Sequence, residues 1–235
     1  MSWTRLRQVA LVTHDLDAVV RDLHDAFGLD VAFSDPAVGA FGLRNAVLPV
    51  GNQFVEVVSP IAPGTAGGRQ LERLGGDGGY MVICHTDDHP AVRRRVEELG
   101  VRTVIDTVDH GYHIMQLHPS DTGGSFLEID FQPGGEVADG PWMPAGENWQ
   151  RARHTDIVAG ITSVDVQSKN PDRTATRWSA ITECALAGDA LQLDNATVRF
   201  RAGPVDTLVA VTLAATDPAR SGEHFKICGV DFTLA

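Results

Sequence analysis

Two glutamates occupy matching places in a sequence pattern that occurs twice in the chain. The apolar run that contains Gln8 and leads to an aspartate returns 72 residues later, with Tyr80 in the place of Gln8. The Phe-x-Glu pattern that ends at Glu56 also returns 72 residues later, where it ends at Glu128. Two related halves that face each other would enclose one cavity, so the pattern predicts that these four side chains share it.

This set of residue types suits proton transfer. Two neighbouring carboxylates without a cation disfavour double ionisation, so one of them tends to hold a proton near neutral pH. One base and one acid can remove a proton beside a carbonyl group and return it, while Tyr80 and Gln8 bind the enolate oxygen. The alternative is that each glutamate only pairs with an arginine, such as Arg44 or Arg102.

Three further residues are candidates for the site. His118 opens a turn beside the strand of Glu128, where it would be a base, a metal ligand or a residue that only hydrogen-bonds the turn backbone. Thr65 and Arg69 lie in a loop that we expect to close over the cavity and bind a substrate carboxylate. His14 and His85 stand just before predicted helices, which favours cap or surface positions.

The repeated unit predicts the elements that carry these residues. An apolar run over 8–13 leads to Asp15, a helix cap, and the helix ends at Gly28. The same order recurs from 80–85 and from 161–167, and short strands follow each helix. The unit is therefore β-α-β-β-β, which predicts an α+β fold with a helix on one face of each small sheet.

We predict two domains and a linker. Residues 1–133 hold two complete units and the cavity, and 134–154 form a Gly- and Pro-rich linker whose Trp142 and Trp149 pack on the first domain. Residues 155–235 hold a third unit and a helix-less remnant of a fourth, a truncated second domain. Ser163 stands there at the Gln8 position and Arg199 or Arg201 at the glutamate position, so we expect a structural or dimer-forming role.

Composition excludes several classes of partner. The net charge of −12 and the pI near 5.0 disfavour binding to nucleic acid or to an anionic membrane. No apolar run has the length of a membrane span, and the start of the chain lacks the apolar core of a secretory signal. Cys84, Cys184 and Cys228 are isolated, as is typical of reduced core thiols in a cytoplasmic protein.

Paired units with this strand–Asp–helix entry resemble the vicinal oxygen chelate superfamily, which includes glyoxalase I, extradiol dioxygenases and bleomycin-resistance proteins. The resemblance implies a small-molecule ligand and a metal position formed by Gln8, Glu56, Tyr80 and Glu128. Tyr80 replaces a family histidine, which leaves Gln8, Glu56 and Glu128 as the candidate ligands. Such an all-oxygen set favours Mg, Mn or Fe over Zn, and the alternative is that no metal is bound.

The resemblance and the residues together support three functions. The first is an isomerase or lyase that works through an enolate of a small oxygenated metabolite, with Glu128 or Glu56 as the base. The second is a non-catalytic protein that sequesters a small molecule, as bleomycin-resistance proteins do, but aromatic residues make up only 6% of the chain. The third, a dioxygenase, needs a histidine-rich iron site. A homodimer is a further expectation.

Overall fold

The first two repeats form one seven-stranded sheet, as the computed structural model of residues 2–235 describes it. Its strands are β1 (Thr4–Val12), β2 (Leu43–Val50), β3 (Gln53–Pro60), β4 (Gly78–Thr86), β5 (Thr103–Asp109), β6 (Tyr112–Leu117) and β7 (Phe126–Phe131). They lie in the order β2-β3-β1-β4-β7-β6-β5, so each repeat supplies one half. The halves join where β1 and β4 pair antiparallel, which places the two repeats face to face at the middle of the sheet.

The helices begin and end where local sequence signals predict. They are α1 (Leu16–Phe27), α2 (Ala66–Leu74), α3 (His89–Glu98), α4 (Pro119–Thr122) and α5 (Pro171–Thr182). The Asp15 carboxylate accepts from the Ala18 amide at 3.0 Å, and Gly28 ends α1 with a left-handed φ of 68°. Within residues 2–235, no helix has the length and apolar content needed to cross a membrane.

The third repeat and the remnant of a fourth form a second seven-stranded sheet. Its strands are β8 (Val158–Ser168), β9 (Leu186–Ala187), β10 (Ala190–Gln192), β11 (Thr197–Ala202), β12 (Thr207–Ala215), β13 (His224–Ile227) and β14 (Val230–Leu234), in the order β13-β14-β12-β8-β11-β10-β9. A 3-10 turn, Pro218–Arg220, stands where the other repeats have an α-helix. The α+β fold of paired units, one pair complete and one truncated, is therefore confirmed. The sequence pattern predicts a single strand over residues 225–234, whereas the structure has a hairpin there that turns at Cys228 and Gly229.

One hydrophobic core lies between the two sheets. The outer face of the first sheet packs with α1, α3, α5 and the second sheet into a continuous buried cluster. The Gln53 side chain donates to the Ile161 carbonyl at 3.0 Å and accepts from the Ile161 amide at 2.7 Å. At Gly79, a Cβ atom would stand only 2.1 Å from the Leu208 carbonyl oxygen, so the two backbones touch there.

The opposite, inner face of the first sheet is covered by residues 134–154. This segment contains two 3-10 turns, Met143–Ala145 and Trp149–Ala152, and a third turn, Pro36–Phe41, lies near the first-repeat edge of the sheet. Trp142 and Trp149 are 1% and 2% exposed and pack in a second apolar cluster with residues of the inner face. The expected packing of these tryptophans on the first domain is confirmed.

Candidate functional site

The four residues matched by the repeat lie on four adjacent strands of the first sheet. Gln8 is on β1, Glu56 on β3, Tyr80 on β4 and Glu128 on β7, and all four are buried. The Gln8 amide nitrogen donates to Glu56 at 2.9 Å, and the charges of Glu56 and Glu128 both raise the pKa of Tyr80. The structure therefore brings the predicted set together on the inner face.

Strand register refines the match between the two repeats. Ala10 stands beside Glu56, and Ile83 stands beside Glu128 in the same way. Two residues earlier on each strand come Gln8 and Met81, so Met81, rather than Tyr80, is the structural counterpart of Gln8. Tyr80 is the extra residue of a β-bulge in the β1–β4 pairing. On β4, the structural match to β1 is therefore displaced by one residue from the 72-residue spacing seen in the sequence. Tyr80 still packs on the inner face, against Phe126.

Glu56 is held by two neutral donors. One carboxylate oxygen accepts from Gln8, and the other accepts from the Asn45 side chain at 2.7 Å. Burial raises the pKa of Glu56, and these two hydrogen bonds oppose the rise in part. The alternative in which arginines pair with the glutamates is wrong, since Arg44 lies 3.4 Å from Asp17 and Arg102 lies 2.8 Å from Asp121.

Glu128 belongs to a pair of buried acids. Asp130 lies two residues further along β7 and so presents its side chain on the same face. Burial raises the pKa of Glu128 to about 7, although hydrogen bonds from Asp130 and Gln116 lower it. Burial and the Glu128 charge raise the pKa of Asp130 well above its usual range, which favours the protonated form of that carboxyl group.

The hydrogen bonds around Asp130 agree with that protonation state. The Tyr112 hydroxyl donates to Asp130 Oδ2, whereas the buried Oδ1 has no partner when the carboxyl is ionised. Asp130 and Glu128 are hydrogen-bonded to each other, and a protonated Asp130 is the donor in that contact. The three side chains form a chain from Tyr112 through Asp130 to Glu128. Sequence reasoning missed Asp130, although its two-residue spacing from Glu128 was a visible signal.

Tyr80 remains a neutral hydrogen-bond donor at physiological pH. Burial raises its pKa to about 12, and the charges of Glu56 and Glu128 act in the same direction. Its ring packs edge-on against Phe126, with the centroids 5.3 Å apart. A neutral, fixed phenol on the inner face can donate to an oxygen that gains charge, as the sequence suggested.

Residues 134–154 form part of the site. The Trp142 indole nitrogen donates to the Gln8 side-chain oxygen at 2.8 Å. Buried Arg7 donates to the carbonyls of Ala138 at 2.7 Å and Gly140 at 3.3 Å, which fixes the segment against β1. No local signal predicted the contact with Gln8, because its two partners are 134 residues apart in the sequence.

The donor atoms that a metal would need are already engaged. The Gln8 oxygen accepts the Trp142 N–H, and both oxygens of Glu56 accept amide N–H groups. Among residues 2–235, no group of three or more His, Cys, Asp or Glu side chains is arranged to hold a metal ion. The set Gln8, Glu56 and Glu128 therefore does not fit a bound cation in this arrangement.

The remaining predicted residues lie at the margin of the site or in local turns. Thr65 caps α2 through the Gly68 amide, and Arg69 lies close enough to Tyr80 for its charge to lower the pKa of that phenol. His118 caps α4 by accepting from the Ser120 amide at 3.2 Å, which is the turn-backbone role held open above.

His85 lies in a different environment from the one predicted, and the second sheet carries other residue types at the site positions. The prediction of a cap or surface position for His85 is wrong, since its ring is fully buried against Trp142. In the second sheet, Arg199 donates to Ser163 at 2.7 Å, and Asp165 lies between Arg199 and Arg201. By strand register, Arg199 stands at the position of Glu56 and Thr233 at the position of Glu128.

An open groove of about 1050 Å³ lies over Tyr112 and the covering segment. Aromatic rings and acidic side chains line most of it, together with His110 and several polar residues. The aromatic and acidic members are Phe33, Tyr112, Trp142, Trp149, Asp35, Asp109, Asp139 and Glu147. Arg153 lies outside this lining and pairs with Asp139 at 2.6 Å. Glu56, Tyr80 and Glu128 are not among the residues that line this groove, which approaches the buried acid pair through Tyr112, whose hydroxyl donates to Asp130.

A family model of the glyoxalase-like domain matches residues 9–182. The chain belongs to the glyoxalase-like domain family. Its predicted place in the vicinal oxygen chelate superfamily is therefore confirmed. Because the match begins in β1 and ends with α5, this glyoxalase-like protein carries the family pattern from the first sheet into the second.

Similar proteins match about half of this glyoxalase-like protein. An ethylmalonyl-CoA/methylmalonyl-CoA epimerase of Cereibacter sphaeroides is 25% identical over 130 residues, 54% of this chain and 96% of the relative. A variant of Streptomyces coelicolor methylmalonyl-CoA epimerase in complex with 2-nitronate-propionyl-CoA is 24% identical, with a TM-score of 0.50 over 55% of this chain and 98% of its own. This second likeness concerns the fold.

One solved structure resembles the whole chain. A hypothetical protein from Staphylococcus aureus is 17% identical and has a TM-score of 0.72, with 99% of each chain covered. The arrangement of the two sheets is thus a fold that occurs in another protein.

Proposed function

We propose that this glyoxalase-like protein is an isomerase- or lyase-type enzyme that moves a proton beside a carbonyl group and passes through an enolate. The observation that carries the proposal is the Glu128–Asp130 pair, in which burial brings the pKa of Glu128 to about 7. A carboxylate with that pKa is a far stronger base than an ordinary glutamate and still releases its proton readily. The epimerase names of the similar proteins support the same reaction class.

In the proposed step, ionised Glu128 removes the proton from the carbon next to the carbonyl. The electron pair of the C–H bond becomes the C=C bond of the enolate, and the carbonyl oxygen gains the negative charge. Tyr80, which stays neutral, donates a hydrogen bond to that oxygen. Return of the proton from Glu128 or Asp130 to the carbon completes an isomerisation, whereas loss of a leaving group from the next carbon completes an elimination. Glu56, held by two amides, keeps a fixed orientation beside the reacting centre.

The groove lining favours a neutral or cationic substrate. The residues that line it, all within the described part of the chain, include four acids but no Lys or Arg. A CoA thioester carries several phosphate charges, which such a lining repels. We therefore propose that the substrate class differs from the CoA compounds in the names of the similar proteins.

Deuterium exchange tests the function and the substrate class together. The protein is incubated in D₂O with methylmalonyl-CoA, with acetoin as a neutral hydroxyketone and with aminoacetone as a cationic ketone, and NMR follows loss of the proton beside each carbonyl. We expect exchange with acetoin or aminoacetone, and a fall of about 10²–10⁴-fold in Glu128→Gln. Glu98→Gln, a change at an exposed glutamate of α3, is the matched control and should exchange at the parent rate.

Two results would contradict the proposal in different ways. Exchange at the parent rate in Glu128→Gln would remove Glu128 from the proton step. Exchange with methylmalonyl-CoA in preference to the other two probes would keep the reaction class and reject the substrate class.

A second function is favoured by the aromatic part of the groove. The half-buried ring of Phe33 lies among the acids of the groove, a combination that suits sequestration of a cationic aromatic compound. Titration with bleomycin, followed through tryptophan fluorescence, tests this role. Saturable quenching without deuterium exchange on any probe would favour the binder over the enzyme.

A further inference from the structure

We propose that the indole N–H of Trp142 takes the place of a divalent metal ion at Gln8 and Glu56, so that this part of the site is held together by neutral donors instead of a cation. The proposal stands apart from the proposed function, because it concerns what binds Gln8 and Glu56 rather than what reaction follows. Trp142, which belongs to residues 134–154, is then a positioning residue for Gln8 and Glu56 of the first sheet.

The two contacts of Gln8 fix which atom of its amide faces which partner. The amide nitrogen donates to Glu56 at 2.9 Å, while the amide oxygen accepts from Trp142 at 2.8 Å. A flipped amide would set nitrogen against the indole N–H and oxygen against the carboxylate, and both contacts would then be repulsive. The oxygen, the atom of glutamine that ligates a metal, is therefore committed to the indole.

Glu56 is satisfied in the same neutral way. Its second oxygen accepts from Asn45 at 2.7 Å, so each oxygen has an N–H partner. Both oxygens of the Glu56 carboxylate are therefore engaged by neutral N–H donors.

Packing holds Trp142 where it can fill this role. Its ring is 1% exposed, stacks over Phe54 with centroids 6.4 Å apart and meets Tyr112 edge-on at 5.5 Å. Arg7 lies over the same ring, 5.4 Å from its centroid, and binds the carbonyls of the segment that carries it. A metal ion at Gln8 would have to displace a ring that is fixed on several sides.

Mn²⁺ tests the proposal, because it favours oxygen ligands and broadens the NMR signals of nearby protons. The indole N–H signal of Trp142 is assigned as the one that disappears in Trp142→Phe, and Trp149, whose indole donates to the Gly140 carbonyl, serves as the internal control. In the parent protein we expect no selective broadening of the Trp142 signal at about 1 mM Mn²⁺. In Gln8→Leu we expect its hydrogen exchange to accelerate at least about tenfold, since the acceptor is gone.

Trp142→Phe provides the converse test, because it keeps an aromatic ring and removes the N–H. The Gln8 oxygen then lacks a donor, and we expect Mn²⁺ to bind at least about tenfold more tightly than to the parent, as measured by calorimetry. The gain should vanish when Gln8→Leu is added. Stoichiometric Mn²⁺ binding by the parent that selectively broadens Trp142 would overturn the proposal, and so would equal Mn²⁺ affinity in Trp142→Phe and the parent.

Discussion

Replacement of Glu128 by glutamine should make the protein more resistant to unfolding in mild base. The pKa of Glu128 is about 7 in the folded protein against 4.5 for an ordinary glutamate, so the folded state binds more protons than the unfolded state between these values. Stability is therefore fully present in acid and falls as pH rises through this window. The difference corresponds to about 3 kcal/mol of unfolding free energy, of which about 2.5 kcal/mol falls between about pH 5 and about pH 8.

Glu128→Gln removes the ionisation and keeps the size of the side chain. Urea unfolding of the parent and the variant at a series of pH values gives the difference in unfolding free energy, in which the titrations of groups that do not interact with Glu128 largely cancel. We expect this difference to shift in favour of the variant by about 2 to 3 kcal/mol from about pH 5 to about pH 8. Glu98→Gln should show no such trend. A constant difference across the series would refute the assignment of a raised pKa to Glu128.

Two further predictions concern packing. Gly79→Ala should lower the unfolding free energy by more than about 2 kcal/mol, because the new Cβ meets the Leu208 carbonyl oxygen at 2.1 Å. Gly39→Ala is the control and should change the unfolding free energy little, because the space around Gly39 is open. Equal thermal midpoints for the two variants would contradict this account. Arg7→Met should speed chymotrypsin cleavage within 134–154 at least about tenfold, since the carbonyl contacts that hold the segment are lost. Mass spectrometry identifies the cleavage site, and Arg21→Met on the exposed side of α1 is the control. An unchanged cleavage rate in Arg7→Met would show that other contacts hold the segment.

Local signals in the sequence were enough to predict most of the fold. Helix caps and alternating apolar residues depend on neighbours within a few positions, so Asp15, Gly28 and the strands of the repeats could be placed correctly. The inward placement of Glu56 and Glu128 followed from the same alternation. The single late strand was predicted in error because Cys228, a non-glycine residue at φ 52°, takes part in the turn of the hairpin.

The missed parts of the site depend on contacts between distant segments. Tyr80 enters the inner face through a bulge, and a bulge depends on how β1 and β4 pair rather than on either sequence alone. His85 is buried because Trp142 packs against it from a segment far along the chain. The candidate metal ligands were a sound inference from residue types, but which N–H groups engage them is a matter of tertiary packing.

The core shared by the two sheets has a consequence for how the chain is made. The Leu6 amide in β1 donates to the Asn195 side chain, 189 residues later, and the Thr4 amide likewise donates to Asp194. At typical synthesis rates, about 10 to 40 s separate the emergence of these partners from the ribosome. During that interval the apolar outer face of the first sheet lacks its cover. Nascent chains that end before the hairpin of β10 and β11 should therefore depend on chaperones, and native structure should arise only when the second sheet has been synthesised.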